Sequence, residues 1–351
     1  MIICLYVRMQ EAANRADVTV IGSGLAGMAA SFHLARAGYR VTCIESDVGS
    51  RQPVGESLDW SAPALLQELG LSMDGAIRDQ IATYKRHVTV KLTDGTTRPY
   101  EPGEWLARSP YNVELRTLHV DRLQLDQSIR EMALKQGVEM AIDRAIDVEK
   151  EGRRVTAVKT ASGRRFSSDW FIDASGNAAL FSRFFLLPVY RYGPRKVATW
   201  TYFNVPESIE GTTLYMDGQP PYMQWIWEIP IHANVIGVGS VAAGEDIRKK
   251  REQGLTVEDI FREQLARFPR LAGLLPAAGT ISPYVTSFQC RVHGGLAVSY
   301  THLTDVVAPL VLPYSAGAFR LRIRNSLTAS TGVRSAYPPF TLSTLLAPSS
   351  R

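Results

Sequence analysis

Asp17 to Glu45, DVTVIGSGLAGMAASFHLARAGYRVTCIE, constrains the fold of this chain more than any other stretch. Val18, Val20 and Ile21 form a short β-branched run of the kind found in strands buried on both faces. Gly22-Ser23-Gly24-Leu25-Ala26-Gly27 follows as G-x-G-x-x-G. In such a turn the first glycine permits the tight bend and the second lets a pyrophosphate approach the backbone. The third brings the helix close to the strand, with the phosphates at the helix N-terminus. Met28, Phe32 and Ala35 continue an apolar helical stripe, and Gly38 stands where a C-cap belongs. Val41 to Ile44 is the second strand. Glu45 ends it about 20 residues beyond the glycines, where a carboxylate accepts the hydroxyls of an adenosine ribose. Strand, turn, helix and acid in register specify a dinucleotide site, and Ser46 lies beside the acid.

The chain has 351 residues, enough for one large or two medium domains with a real core. Its net charge of +5 does not mark a nucleic-acid binder, because the excess sits at one end. Residues 301–351 contain Arg320, Arg322, Arg324, Arg334 and Arg351, no Lys, and a single acid, Asp305. Cys4, Cys43 and Cys290 are odd in number and far apart, and the six His are scattered. This pattern argues against a disulfide framework or a metal site and for a reducing, cytoplasmic setting. No apolar run is long enough to span a membrane. Residues 1–16 read as a disordered leader without a signal-peptide pattern, and Met9 is a candidate start.

Beyond Glu45 a loop carries Pro53-Val54-Gly55-Glu56-Ser57-Leu58, and a helix is expected around Pro63 to Leu69. Residues 86–98 alternate as a hairpin turning at Asp94-Gly95. Asp121 and Gln124 make a capping-box start to a helix with Leu125, Ile129, Met132 and Ala133 inward. Arg122, in its first turn, is placed either for solvent or for a phosphate. Residues 138–172 are expected as a three-stranded meander. Its last strand ends abruptly in Asp173-Ala174-Ser175-Gly176, which fits either a cofactor edge or an ordinary strand exit.

From Lys196 onward four short strands, 196–205, 211–216, 223–231 and 234–241, are expected as one antiparallel sheet holding a substrate. A helix capped by Thr256 and Asp259 then buries Ile260, Phe261, Leu265 and Phe268. Gly237-Val238-Gly239-Ser240-Val241-Ala242 has no acid-tipped strand after it and reads as small residues in a strand, leaving one dinucleotide site.

Over about residues 17–298 the chain resembles flavin-dependent oxidoreductases of the p-hydroxybenzoate hydroxylase-like fold, and within them the tryptophan-type flavin-dependent halogenases. GSGLAG with Glu45, the PVGESL loop, HVDRLQLD with Arg122, and FIDASG carry the likeness. It implies an α/β architecture: a Rossmann-like, GR2-type FAD-binding domain interleaved with an antiparallel β-sheet substrate domain. The expected division is 17–185 for FAD binding, with inserted β segments at 84–118, 186–298 for the substrate sheet and helix, and 299–351 as an atypical tail. The resemblance implies FAD as cofactor, held by Gly22, Gly24, Leu25, Ala26, Gly27, Glu45, Ser46, Glu56, Ser57, Arg122, Asp173 and Gly176.

Met223 to Pro230 also contains W-x-W-x-I-P, a halogenase hallmark, on Trp225, Trp227, Ile229 and Pro230. Two tryptophans two residues apart share one face of a strand. Period alone favours a core stripe, whereas the resemblance implies a wall that keeps water from the flavin. It also implies a lysine that relays oxidised halide, for which Lys85 in ATYKR is the candidate beside its plain reading as a solvated surface lysine. The expected reaction is halogenation or monooxygenation of a small, aromatic substrate using O2 and electrons either from a separate flavin reductase or from transiently bound NAD(P)H. The alternatives are a flavin dehydrogenase or prenyl reductase without oxygen chemistry, or an inactive truncated remnant. After Val298 the third flavin motif of such proteins is missing, and the Ser-, Thr-, Arg- and Pro-rich remainder, opening on SYTHLT, reads as a frame-shifted or chimeric end.

Overall fold

The structure is a computed structural model that describes residues 15–47, 52–101, 104, 107–110, 112, 116–152, 154–206, 209–217, 224–276 and 279–293. The expectations for 1–14, 277–278 and 294–351, the tail included, lie outside the described residues.

The opening motif folds as expected. β1 (Ala16–Ile21), α1 (Leu25–Arg36) and β2 (Val41–Glu45) make a parallel βαβ unit in which Val18 faces Val41 and Ile21 faces Ile44. Two short helices, α2 (Ala62–Glu68) and α3 (Met73–Arg78), precede β3 (Ala82–Lys85). A hairpin of β4 (Val88–Leu92) and β5 (Thr97–Tyr100) comes next, then β6 (Thr117–Val120), the antiparallel partner of β3. α4 (Arg122–Lys135) starts on Asp121, whose carboxylate accepts the Gln124 amide at 3.1 Å. The expected reciprocal bond goes elsewhere: the Gln124 side chain donates to the Asp121 carboxylate rather than accepting from its backbone. Leu125, Ile129 and Ala133 of α4 pack with Met28 and Phe32 of α1 over Val18, Val20 and Val41.

Residues 138–172 depart from the meander. The first expected strand is two strands, β7 (Glu139–Ile142) and β8 (Ala145–Glu151), and only β8, β9 (Arg154–Thr160) and β10 (Arg165–Asp173) run as a meander. β7 instead pairs in parallel with β2 at the far edge, giving the order β7-β2-β1-β10-β9-β8. The break falls at Asp143, whose carboxylate accepts the amides of Arg144 and Ser162 and so folds the chain without Gly or Pro. β10 runs parallel to β1 with Ile21 opposite Asp173, which sets the ends of the two strands side by side. α5 (Leu180–Phe184) follows.

The second sheet contains β11 (Val189–Asn204), β12 (Thr212–Asp217), β13 (Gln224–His232), β14 (Val235–Ala243) and β15 (Tyr284–His293). The pairings β11/β14, β13/β14, β12/β13 and β11/β15 are antiparallel. The sheet is nevertheless mixed, because β4 joins β12 in parallel, in the order β15-β11-β14-β13-β12-β4-β5. The 86–98 hairpin, expected among the segments inserted in the first domain, is thus a structural part of the second sheet. α6 (Gly244–Glu252), α7 (Val257–Ala266) and α8 (Pro269–Ala272) follow β14. Thr256 and Asp259 form a complete capping box on α7. Phe261 and Leu265 are fully buried against Tyr215, Ile226, Ile236 and Val238, each worth about 1.5–3 kcal/mol of apolar burial.

Candidate functional site

The glycine turn shows three different demands on three glycines. Gly22 has φ +101°, and a Cβ there would lie 2.5 Å from the Ala174 carbonyl oxygen. A Cβ on Gly27 would lie 1.9 Å from the Gly22 carbonyl oxygen. Gly24 has nothing within 4 Å of the Cβ position among the described residues, so bare backbone is left uncovered by them. That backbone lies at the start of α1, where no side chain caps the helix and no acid stands in the first turn. The unpartnered amides and the positive end of the helix dipole favour an anion there. Leu25 and Ala26 contribute the first two helical amides.

Glu45 ends β2 facing this turn. Its carboxylate accepts the Ser23 amide at 2.6 Å, the Ser46 hydroxyl at 3.1 Å and the Asp47 amide at 3.2 Å. Burial opposes its charge, but these bonds prevail and hold the carboxyl below its ordinary range. Open cradle, free helix end and ionised acid fit the adenosine diphosphate half of FAD. Cys43, alongside in β2, has its thiol pushed up to about 12 by burial and is inert as a nucleophile.

β10 delivers Asp173-Ala174-Ser175-Gly176 against the glycine turn: the Ala174 amide donates to the Ile21 carbonyl at 2.9 Å. The Asp173 carboxylate itself faces inward on its own turn. It accepts the Ser175 amide and hydroxyl and, at 2.8 Å, the Phe181 amide. Gly176 (φ +58°) opens the next short turn.

Arg122 is placed differently from the phosphate reading. Its guanidinium pairs with Asp126 at 3.0 Å and donates to the carbonyls of Val54 at 2.9 Å and Gly55 at 3.4 Å. It therefore clamps the PVGESL loop. The same loop is tied at three further points. Glu56, 2 % exposed, accepts the Tyr202 hydroxyl of β11 at 2.9 Å, and Gln52 donates to that hydroxyl at 2.8 Å. Ser57 bridges His119, and the Leu58 carbonyl accepts Lys85 Nζ at 3.2 Å and Thr117 Oγ1 at 3.3 Å.

Lys85 is not a solvated surface lysine. β3 and β6 turn one polar face, Thr83, Lys85, Thr117 and His119, toward the second sheet and the loop. Thr83 donates to the Pro230 carbonyl at 2.8 Å, and His119 Nε2 lies 2.8 Å from Thr212 Oγ1. Burial pushes the Lys85 ammonium down from its usual range, only partly offset by Asp59. His119, fully buried, is held neutral with its pKa near 3, first by burial and then by the charges of Lys85 and His87.

The W-x-W-x-I-P strand is β13. Trp227 is 8 % exposed and packs with Trp200, Ile229, Ile231 and Val241 on the sheet face that meets β3 and β6. Its ring lies on Gly239, where a Cβ would come within 2.1 Å of Cζ2, so the small residues of β14 are the seat of the indole. Trp225 is half-buried, with Lys196 Nζ 4.4 Å from the centre of its ring. Tyr202 and His119 escaped the sequence reading. Tyr202 was legible only as one aromatic of an alternating strand, and His119 only as the residue two before the Asp121 cap.

A Rossmann-type βαβ cradle docked through the PVGESL loop and the β3/β6 pair onto an aromatic-lined mixed sheet defines a flavin-binding oxidoreductase fold. Residues 17–183 match the family described as FAD dependent oxidoreductase, a likeness that indicates FAD as cofactor. It is 28% identical over 337 residues to a tryptophan 2-halogenase of Chondromyces crocatus, covering 91% of this chain and 61% of that protein. It is 26% identical over 355 residues to the flavin-dependent halogenase ptaM of Pestalotiopsis fici, covering 91% and 63% respectively. The chain thus spans about three-fifths of the length of these relatives. Among solved structures, the flavin-dependent brominase Bmp2 superposes with a TM-score of 0.64 at 23% identity, over 80% of this chain and 68% of that one. PqsL, a probable FAD-dependent monooxygenase from Pseudomonas aeruginosa, gives 0.58 at 21% identity, over 73% and 67%. Among the described residues no helix is long and apolar enough to cross a membrane, and no His, Cys, Asp and Glu group could hold a metal ion.

Proposed function

We propose that this chain is the FAD-binding and substrate-sheet part of a flavin-dependent halogenase acting on a small aromatic compound. Lys85 is the observation that carries the reading. It sits on a largely buried polar seam between the loop of the cofactor domain and the tryptophan strand. Its only described hydrogen-bond acceptor is the Leu58 carbonyl, and it forms no ion pair among the described residues. A lysine without a carboxylate partner, with its pKa lowered by burial, presents more free amine near neutral pH. Such an amine suits the relay of an oxidised halide toward substrate.

Bound FAD supplies the two-electron activation of O2. Gly24, Leu25 and Ala26 hold its diphosphate with backbone amides, and Glu45, seconded by Ser46, takes the ribose hydroxyls. Arg122 acts at one remove by fixing the loop at Val54 and Gly55, and Glu56 and Ser57 anchor that loop to Tyr202 and β6. Asp173 shapes the turn that brings Ala174 and Ser175 to the glycines, with Gly176 just beyond. Trp225 and Trp227 close the sheet face and exclude water. Electrons arrive as reduced flavin from a separate reductase.

The test is FAD uptake by absorbance, then turnover with reduced FAD, O2, bromide or chloride and an indole or pyrrole. Halogenated product should form in wild type and disappear in Lys85→Met with flavin binding retained. Hydroxylated product independent of halide and of Lys85 would transfer the reading to a monooxygenase, which the likeness to PqsL supports. Absence of flavin uptake would sink both.

A further inference from the structure

We propose that Arg191 and Arg291 form a binding site for an oxyanion, a phosphate ester or a carboxylate, at the rim of the cofactor turn. Beyond the bulge between Tyr192 and Lys196, β11 leaves β14 and continues as a two-stranded ribbon with β15. On that ribbon Arg191 stands directly opposite Arg291. Directly opposed side chains of an antiparallel pair share a face with Cβ atoms about 4.5–5.5 Å apart, and like charges there repel. The local sequence offers nothing to offset this. Residues 174–206 contain no Asp or Glu, and none occurs between Glu263 and Asp305. Neither arginine has an ion pair among the described residues, and Arg191 has no described hydrogen bond.

The pair is also aimed. One terminal nitrogen of Arg291 donates to the Asn177 carbonyl at 2.8 Å and lies 3.4 Å from the Gly176 carbonyl and from Asn177 Oδ1. That anchors one guanidinium at the turn following Asp173 and leaves the other, Arg191, exposed beside it. The remaining nearby acid, Asp173, has both carboxylate oxygens engaged by Ser175 and Phe181. Two arginines at directly opposed register positions, one guanidinium anchored and the other without a described partner, with no counter-charge among the described residues that pairs with either, match the planar, multidentate demand of a carboxylate or phosphate. The site uses none of the helix-end residues at Gly24, and its occupation does not depend on the proposed reaction.

The experiment uses the full chain without flavin, melted in chloride, in inorganic phosphate and in benzoate at matched ionic strength. Arg191→Gln and Arg191→Lys run in parallel. Wild type should gain stability saturably in phosphate, in benzoate or in both, and whichever acts names the ligand class. Arg191→Gln should lose that gain, with at least a tenfold weaker apparent affinity. Arg191→Lys, which keeps the charge but not the fork, should retain only part of it. In chloride alone Arg191→Gln should melt no lower than wild type, because it removes a repulsion. Inorganic phosphate also suits the glycine turn, so the difference between wild type and variant is the readout. Equal anion effects in wild type and Arg191→Gln, an equal response to chloride, or a lower melting point of the variant in chloride would each overturn the proposal.

Discussion

Gly24→Ala separates the cofactor reading from simple folding requirements. Gly24 has φ −65° and ψ 176°, a conformation open to alanine, and no atom of the described residues lies within 4 Å of the new methyl. Losing glycine's freedom in the unfolded chain stabilises by about 0.4–1 kcal/mol. Alanine's poorer N-capping offsets this by about 0.5 kcal/mol or somewhat more. The flavin-free protein should therefore keep its stability within about 1 kcal/mol, a Tm change of no more than about 2–4 °C. The methyl, however, fills the space into which a diphosphate must come, and one or more charge-assisted bonds to backbone amides are lost. At about 1.5–3 kcal/mol for such a bond, FAD should bind roughly 10- to 100-fold more weakly. Calorimetric titration of FAD into both proteins, with a thermal melt of each, measures the two effects. Gly27→Ala is the contrast: its methyl would meet the Gly22 carbonyl oxygen at 1.9 Å, and the fold itself should weaken. Unchanged FAD affinity in a folded Gly24→Ala protein would refute the placement of the diphosphate.

Three further outcomes follow from packing and charge. Burial, opposed by the Tyr202 hydroxyl and neighbouring amides, raises the Glu56 carboxyl above its ordinary 4.5. The folded protein then takes up this proton before the unfolded chain does. Glu56 thus costs stability above its folded pKa, and the cost disappears as pH falls through that value toward 4.5. The advantage of Glu56→Gln over wild type in urea melts should be largest near pH 7 and shrink toward pH 5; a pH-independent difference would contradict the burial argument. Gly239→Ala drives a methyl into the Trp227 ring and should lose about 1–3 kcal/mol, partly recovered in the Gly239→Ala, Trp227→Phe double variant. Phe261→Ala empties the fully buried centre between α7 and the second sheet and should cost about 3–5 kcal/mol by chemical denaturation.

What was legible in the sequence was local. β1, the glycine turn, α1 and β2 were readable because strand period, turn glycines, helix stripe and terminal acid agree between Ala16 and Glu45. α7 was readable for the same reason, since its capping box and apolar stripe coincide. The split between β7 and β8 was not, because apolar alternation runs through EMAIDRAIDV and Asp143 turns the chain without punctuation. The parallel pairing of β4 with β12 joins residues more than 120 positions apart, and nothing in either strand announces the partner. Arg122 shows the same division at the site. Its pairing with Asp126, four residues on, is local but was not read, and the carbonyls of Val54 and Gly55, which the guanidinium also holds, belong to a loop far upstream. Lys85 read as exposed because its strand is only four residues long, and the surfaces that bury it come from elsewhere in the chain.

The parallel seam between β4 and β12 also bears on how the protein is made. β4 and β5 leave the ribosome well before β12, with Val88 paired in the end to Thr212. At about 5–20 residues per second, that hairpin waits on the order of ten seconds for the strand that completes it. Meanwhile β3 and β6 can form and α4 can pack on β1, so the cofactor cradle begins to organise around an unfinished edge. A unit cut after residue 185 would keep that open edge permanently and would invite pairing with other chains. The early hairpin is thus an edge of the nascent chain that stays open until β12 arrives.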